Sequence, residues 1–345
     1  MVDPLKSDQL KARTRADSCG KMSETANLHG FTEKQYKAKD VTLNYVEGPD
    51  NGSPLILIPG QAGTWQSYEK VLTPLSKNQR VYAIDIRGHG KSSWTTGEYN
   101  FNLIGNDLTL FINEIINEPP VVSGNSSGGL IALWLAANKP ELVRGIILED
   151  APLFSADWPR IKNEFVYEVL DKTAKHLGEE KGSDYRGFFE SIQRPTEDGK
   201  EKEISKWLVN VLMWIIKRYQ VPGEPLDIPW VPRRIRIFLK LLSTFDPDFS
   251  RSWVDGRIYE GLNHEDALSR VECPTLIIHA DWYRTGKGLV GAMDEADAKR
   301  ARELVPHAKY VRLNTRHVTH SGAPKKFVEL VTDFIESMHV NTHTR

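Results

Sequence analysis

The chain predicts an α/β fold: a mostly parallel central sheet flanked by helices, with a helical segment inserted. Three observations carry that reading. Short continuous apolar runs, Pro54–Ile58 and Arg80–Asp85 among them, have the length and composition of strands buried on both faces of a parallel sheet. Stretches with helical spacing separate these runs. Finally, Val121–Gly129 followed by Leu130–Ala137 reads as strand, tight turn and small-residue helix in direct succession.

Val41–Val46 roughly alternates and reads as a strand before the turn cluster Gly48-Pro49-Asp50-Asn51-Gly52. Pro54–Ile58 is the next strand, Trp65–Leu75 a helix and Arg80–Asp85 a strand. Leu103–Ile116 is a helix with Leu108, Phe111, Ile112, Ile115 and Ile116 on one side. After the turn at Ser126 and its helix comes the strand Val143–Leu148. The alternation then stops. Residues 152–262 read as helical but irregular in register, with a charged loop at Asp198-Gly199-Lys200-Glu201-Lys202-Glu203. Alternation resumes with the strand Pro274–His279, a helix near Asp294–Leu304, the strand Tyr310–Leu313 and a last helix carrying Phe327, Leu330, Val331 and Phe334. The expected organisation is a polar arm over residues 1–30, a core of residues 31–151 and 263–345, and a cap of residues 152–262.

Composition excludes several classes. The 345 residues are 40% hydrophobic and 9% aromatic, as globular chains are, and the net charge of −1 removes the electrostatic case for nucleic acid. Cys19 and Cys273 lie far apart and imply no disulfide framework. The polar first 30 residues hold no apolar block and do not read as a secretory signal. No run is long enough to span a bilayer. A soluble cytoplasmic protein is expected, with homo-oligomerisation left open. The amphipathic stretch Trp207–Arg218 reads as a cap helix in preference to a membrane-surface helix. Gly88-His89-Gly90-Lys91-Ser92 imitates the end of a phosphate-binding loop, but that motif needs glycine at position 85, which is Asp85. It reads as a structural turn.

The chemistry centres on Ser126 in the Gly-x-Ser-x-Gly run Gly124–Gly128. A strand-to-helix turn of this kind holds a serine in strained backbone geometry with its hydroxyl above the sheet. Serine is a weak nucleophile at neutral pH and needs a general base to take its proton.

Four segments together resemble the α/β-hydrolase superfamily, in its cap-bearing esterase, dehalogenase and carbon–carbon hydrolase branch. They are Ile58-Pro59-Gly60-Gln61-Ala62-Gly63, Asp85–Ser92, the Ser126 turn, and Arg316-His317 followed by Pro324. The resemblance implies a Ser-His-Asp triad with the histidine last in chain order. His317, after the late strand and before the last helix, is favoured over His320 as the base. The family usually has Gly before this histidine, where this chain has Arg316. A metal site built on His317 and His320 lacks a third ligand cluster nearby and is disfavoured. Two positions are implied for the acid. Asp150 lies 24 residues after Ser126 (150 − 126) and Asp281 lies just past the strand ending at His279; Asp150 is favoured. The backbone N–H groups of Gln61 and Ser127 are the implied oxyanion donors, and Trp65 is a candidate lining residue for the substrate pocket.

The expected function is a serine hydrolase, independent of any cofactor or metal, that cleaves an ester or lactone of a bulky apolar small molecule through an acyl-enzyme. The bulky residues of 152–262, such as Phe154, Trp158, Trp207, Trp214 and Trp230, favour such a substrate. The alternatives are a carbon–carbon bond hydrolase of ring-cleavage products and a non-catalytic ligand receptor on the same fold.

Overall fold

Pro54–Ile58 is buried at every position, and its side chains alternate between two cores. Leu55 and Leu57 face one layer, while Ile56 and Ile58 face the other, as the pleat of a strand requires. A central sheet covered on both faces follows from that pattern. The computed structural model describes residues 30–177, 183–221 and 225–340. Most of the expected N-terminal arm, including Cys19, lies outside the described residues.

The strands before the insertion are β1 (Thr32–Ala38), β2 (Val41–Glu47), β3 (Pro54–Ile58), β4 (Arg80–Asp85), β5 (Val121–Asn125) and β6 (Gly145–Glu149). The helices among them are α1 (Glu69–Leu75), α2 (Phe101–Phe111) and α3 (Ser127–Asn138). Next come α4 (Phe165–Leu177), α5 (Tyr185–Ser191), the short strands β7 (Gln193–Pro195) and β8 (Glu201–Glu203), α6 (Lys206–Tyr219), α7 (Arg233–Ser243) and α8 (Pro247–Asp255). The chain then forms α9 (His264–Ser269), β9 (Thr275–His279), β10 (Tyr283–Thr285), β11 (Gly288–Val290) and α10 (Glu295–Leu304). It closes with β12 (Lys309–Arg312), α11 (Thr319–Gly322) and α12 (Pro324–Val340).

Eight strands form one sheet in the order β1-β2-β4-β3-β5-β6-β9-β12. The β1–β2 and β2–β4 pairs are antiparallel, and every later neighbour pair is parallel. On one face α1 and α12 bring Val71, Leu72, Phe327, Val331 and Phe334 against Leu55, Leu57 and Leu276. On the other, α2 and α3 cover Ile56, Ile58 and Ile84. Eleven of the twelve residues of α3 are buried, which explains why it is apolar all round.

The inserted segment has two parts. Residues of α5, α6 and α7 make a small core of their own, with Phe188, Phe189, Leu212, Ile216 and Leu239 at its centre. By contrast, Phe249 and Trp253 of α8 and the following Ile258 belong to the main core. The returning chain is stitched to the loop after β4. Gly90 N–H donates to Thr244 O at 2.6 Å, and Asp246 Oδ2 accepts from Tyr99 at 2.7 Å and Thr96 at 2.6 Å.

The structure adjusts several sequence expectations. The charged loop 198–203 is partly ordered as the β7–β8 hairpin. The helix expected over Leu103–Ile116 begins at Phe101, because Asn100 caps it through Leu103 N–H at 2.8 Å. It ends in a π-turn, Ile112–Ile116, closed by Asn117 in a left-handed conformation. Trp65–Tyr68 is a 3-10 turn preceding α1.

Candidate active site

In a parallel sheet the crevice beyond the carboxyl ends of the strands receives ligands. Ser126 follows β5, Asp150 follows β6, and His317 follows β12, all at that edge. Ser126 has φ 54° and ψ −125°, a conformation L-residues rarely adopt. Its neighbours enforce it. Ser126 N–H donates to Glu149 O at 2.9 Å, and Gly129 N–H donates to Ser126 O at 2.9 Å. The flanking glycines allow the turn. A Cβ on Gly124 would lie 2.0 Å from Gly128 O, and one on Gly128 would lie 2.3 Å from Ile58 O. Tight packing of β5, α3 and the end of β3 therefore dictates the motif.

Asp150 also has a positive φ, 44°. Its N–H donates to Ile278 O at 2.7 Å, which turns the carboxylate toward the loop after β12. Asp150 Oδ1 accepts from Ala280 N–H at 2.9 Å, and Oδ2 lies 2.7 Å from His317 Nδ1. The Asp150 side chain is 1% exposed, and that of His317 is 40% exposed. One edge of the imidazole is thus held by a buried carboxylate while the ring keeps access to the crevice. Asn125, the residue before Ser126, donates to His317 O at 3.1 Å and ties the histidine loop to the serine turn. Burial pushes the His317 pKa down, but the hydrogen bond and charge of Asp150 more than offset it, so the net shift is upward.

Asp281 sits elsewhere. Its carboxylate is half-exposed, 3.2 Å from Arg312, and its N–H is bound to Thr315 O. His320 is fully buried and bound to Glu149: Nδ1 lies 2.8 Å from Oε2, and its N–H donates to Oε1 at 2.8 Å. Thr319 donates to the same oxygen at 2.5 Å, and the His320 ring stacks on Tyr68 at 3.9 Å. Burial raises the Glu149 pKa, yet the charge and hydrogen bonds of His320 outweigh this and hold it below the usual value. This pair, absent from the sequence reading, lies directly beneath Ser126 and Asp150 and anchors the loop carrying His317. A glutamate ending the apolar run Ile146-Ile147-Leu148 was its visible signal, because a buried charge needs a partner.

The loop after β3 is equally constrained. Ala62 has φ 61°, and its N–H donates to His89 Nε2 at 3.0 Å. His89 Nε2 is therefore the acceptor, and Nδ1–H donates to Arg87 O at 3.1 Å. Burial lowers the His89 pKa to about 4, which keeps this tautomer neutral. A Cβ on Gly60 would lie 2.9 Å from Ser126 Cβ, so the loop passes directly against the serine. Among the described residues, neither the N–H of Gln61 nor that of Ser127 has a hydrogen-bond acceptor. The Gln61 side chain donates to Ser250 of α8 at 2.7 Å, linking the loop to the inserted segment.

Trp65 is not in the crevice. It is 4% exposed and packs in the core with Tyr68 and Leu57, with its indole N–H 3.2 Å from Glu33. Its N–H donates to the buried Asp85 at 2.7 Å, and this fixes it under the sheet edge. Among the described residues, no group of three or more His, Cys, Asp or Glu side chains could hold a metal ion, and no helix is long and apolar enough to cross a membrane.

The sheet order, the strained serine turn and the Asp150–His317 pair define an α/β hydrolase. A family profile described as alpha/beta hydrolase fold matches residues 53–201, and the chain belongs to that family. It is 30% identical over 290 residues to a probable alcohol acetyltransferase of Cyberlindnera fabianii, covering 82% of this chain and 71% of that one. Shorter matches are to the chloroplastic pheophytinase of Arabidopsis thaliana, 32% identical over 145 residues, and to 3-oxoadipate enol-lactonase 2 of Acinetobacter baylyi, 30% identical over 112. Each of these covers 32% of this chain, and they span only 30% and 42% of those two relatives.

Proposed function

We propose that this chain is a serine hydrolase that cleaves an ester or lactone of a bulky, apolar small molecule through an acyl-enzyme. The observation carrying this reading is the buried Asp150 carboxylate 2.7 Å from Nδ1 of a partly exposed His317, beside a serine at φ 54°. Asp150 fixes the imidazole with its proton on Nδ1, so Nε2 is the basic nitrogen. Nε2 takes the Ser126 proton as Oγ attacks the carbonyl carbon. The free N–H groups of Gln61 and Ser127 stabilise the oxyanion. Collapse expels the alcohol, protonated by His317, and leaves the acyl group on Ser126. Water, deprotonated by His317, then attacks the acyl-enzyme and releases the acid. The segment 152–262 serves as a cap that roofs the crevice, with Ser250 of α8 bracing the Gln61 loop, and the protein works in the cytoplasm.

A second reading is favoured by the similarity to the alcohol acetyltransferase. There the same acyl-enzyme is captured by an alcohol in place of water. The two readings share every catalytic residue and differ in the acceptor. The test is turnover of aryl esters and lactones with and without added primary alcohols, with acid and new ester quantified separately. Acid as the main product supports hydrolysis; new ester at a molar ratio far above the alcohol-to-water ratio supports transfer. No acyl product under either condition would reject both.

A further inference from the structure

Helix α6 carries two faces. Val209, Leu212, Ile215 and Ile216 point into the small core of the inserted segment. Trp207 and Trp214, seven residues apart and so on one side of the helix, point away from it. Trp207 is 73% exposed and Trp214 57%. The aromatic row continues past the helix: Trp214 meets Tyr219 edge-on at 6.1 Å, and Tyr219 meets Trp230, itself 59% exposed, at 5.6 Å. A folded chain seldom leaves three tryptophans together in water without a use for them.

The surrounding charge is cationic. Lys206, Lys217 and Arg218 lie on the outer side of α6, and among the described residues they make no ion pair. The guanidinium of Arg218 lies 5.4 Å from the Tyr219 ring. Of the carboxylates on neighbouring elements, Glu190 pairs with Arg186 at 3.3 Å and Asp227 with Arg236 and with Lys240 at 3.3 Å, while Glu203 accepts from the neutral amide of Gln193 at 2.9 Å and keeps its charge. The chain as a whole has a net charge of −1, so this is a local concentration of positive charge. Tryptophan with an apolar body and a wet N–H, flanked by lysine and arginine, matches the chemistry of a lipid headgroup region. A second copy of this chain fits poorly, because a two-fold contact places a patch against itself and brings the same cations together.

We propose that the Trp207–Trp214–Trp230 face is a docking surface for an anionic lipid bilayer. The tryptophans enter the headgroup region, and Lys206, Lys217 and Arg218 pair with lipid phosphates or carboxylates. Docking is peripheral and reversible, and it brings the inserted segment to a surface where apolar esters partition.

The test uses the full-length protein with vesicles of neutral phosphatidylcholine, alone or mixed with phosphatidylglycerol. Co-sedimentation should rise with anionic content and fall with salt. Each cation at such a surface contributes about fivefold in partition, so Lys217→Ala with Arg218→Ala should weaken binding roughly 25-fold. Trp207→Ala with Trp214→Ala should weaken it by about tenfold or more. Brominated lipid should quench tryptophan fluorescence of the unsubstituted protein and do so less in that variant. Turnover of a water-soluble short-chain aryl ester should stay unchanged in both variants, which also shows that they fold. The proposal is overturned if no vesicle binds, if binding ignores anionic content, or if either variant binds like the parent. It is overturned equally if the substitutions instead abolish a self-association seen by sedimentation velocity without vesicles.

Discussion

Replacing Asp150 with Asn changes two hydrogen bonds that one carboxylate now accepts. Oδ1 takes Ala280 N–H at 2.9 Å in a buried setting, and Oδ2 faces Nδ1 of the partly exposed His317 at 2.7 Å. An amide can accept at only one of these places. If its oxygen stays on Ala280 N–H, its NH2 faces Nδ1, and the imidazole proton moves to Nε2. That is the nitrogen which has to receive the Ser126 proton. If the amide flips, a buried N–H at Ala280 meets a second donor, at a cost of about 1–3 kcal/mol. Either arrangement also removes the charge that stabilises the imidazolium. The expected loss in kcat is about 10⁴-fold, or roughly 5 kcal/mol in barrier. The assay is kcat/KM on an aryl ester as a function of pH. In the parent, activity should fall as pH drops through the His317 pKa, which is raised above 6.5. In the variant the hydrogen bond and charge of Asp150 are gone and only the charge of Glu149 still opposes burial, so the acid limb should move to lower pH. The raised pKa has the opposite sign for folding: its stabilisation is full below 6.5 and is lost as pH rises through the folded value. Asp281→Asn is the control, since that carboxylate is half-exposed and, among the described residues, pairs with Arg312 alone; its kcat/KM should stay within about threefold. An Asp150→Asn enzyme within tenfold of the parent, or a larger loss from Asp281→Asn, would refute the reasoning.

Three further substitutions probe the support of the site. Glu149→Gln sets an amide NH2 where a carboxylate oxygen accepts, leaving a buried donor of Thr319 or His320 without its partner, and should cost about 1–3 kcal/mol by urea unfolding. Because the Glu149 pKa is depressed, its contribution is present above 4.5 and lost as pH falls through the folded value, so the variant should lose less stability on acidification there than the parent. Gly128→Ala drives a methyl to 2.3 Å from Ile58 O and should destabilise by about 1–3 kcal/mol or more, read as a drop in Tm. His89→Leu strands Ala62 N–H and should cost about 1–3 kcal/mol by urea unfolding. It should also lower kcat by up to about 10²-fold by loosening the Gln61 loop.

The sheet was legible where strands carry apolar residues on both faces, as in β3 and β9, because such runs have few other uses. Strand β1 was not: Thr32-Glu33-Lys34-Gln35 is polar, and at the sheet edge that composition is tolerated. The β7–β8 hairpin is hidden for the same reason, since Glu201-Lys202-Glu203 is wholly exposed. In the site, Ser126, Asp150 and His317 could be named because each follows a recognisable strand. The offset of Asp150 from Ser126 favoured it over Asp281 without giving the geometry; that lies in the backbone turn at Asp150, φ 44°, and in its 2.7 Å approach to His317. Glu149–His320 and Ala62–His89 went unread because each joins residues far apart in sequence through a single buried side chain. Trp65 was misread because an aromatic after a glycine-rich loop suits a pocket wall and a core equally well, and its burial and its bonds to Glu33 and Asp85 are what distinguish them.

The claim at the centre of the account is that Ser126 is the nucleophile. It is tested most directly by reacting the full-length protein with a fluorophosphonate and mapping the adduct by peptide mass spectrometry. The account predicts one equivalent of label on the peptide containing Ser126, turnover lost in step with labelling, and no adduct in Ser126→Ala. Full turnover after complete labelling of Ser126, or a Ser126→Ala protein that turns over substrate like the parent, would contradict it.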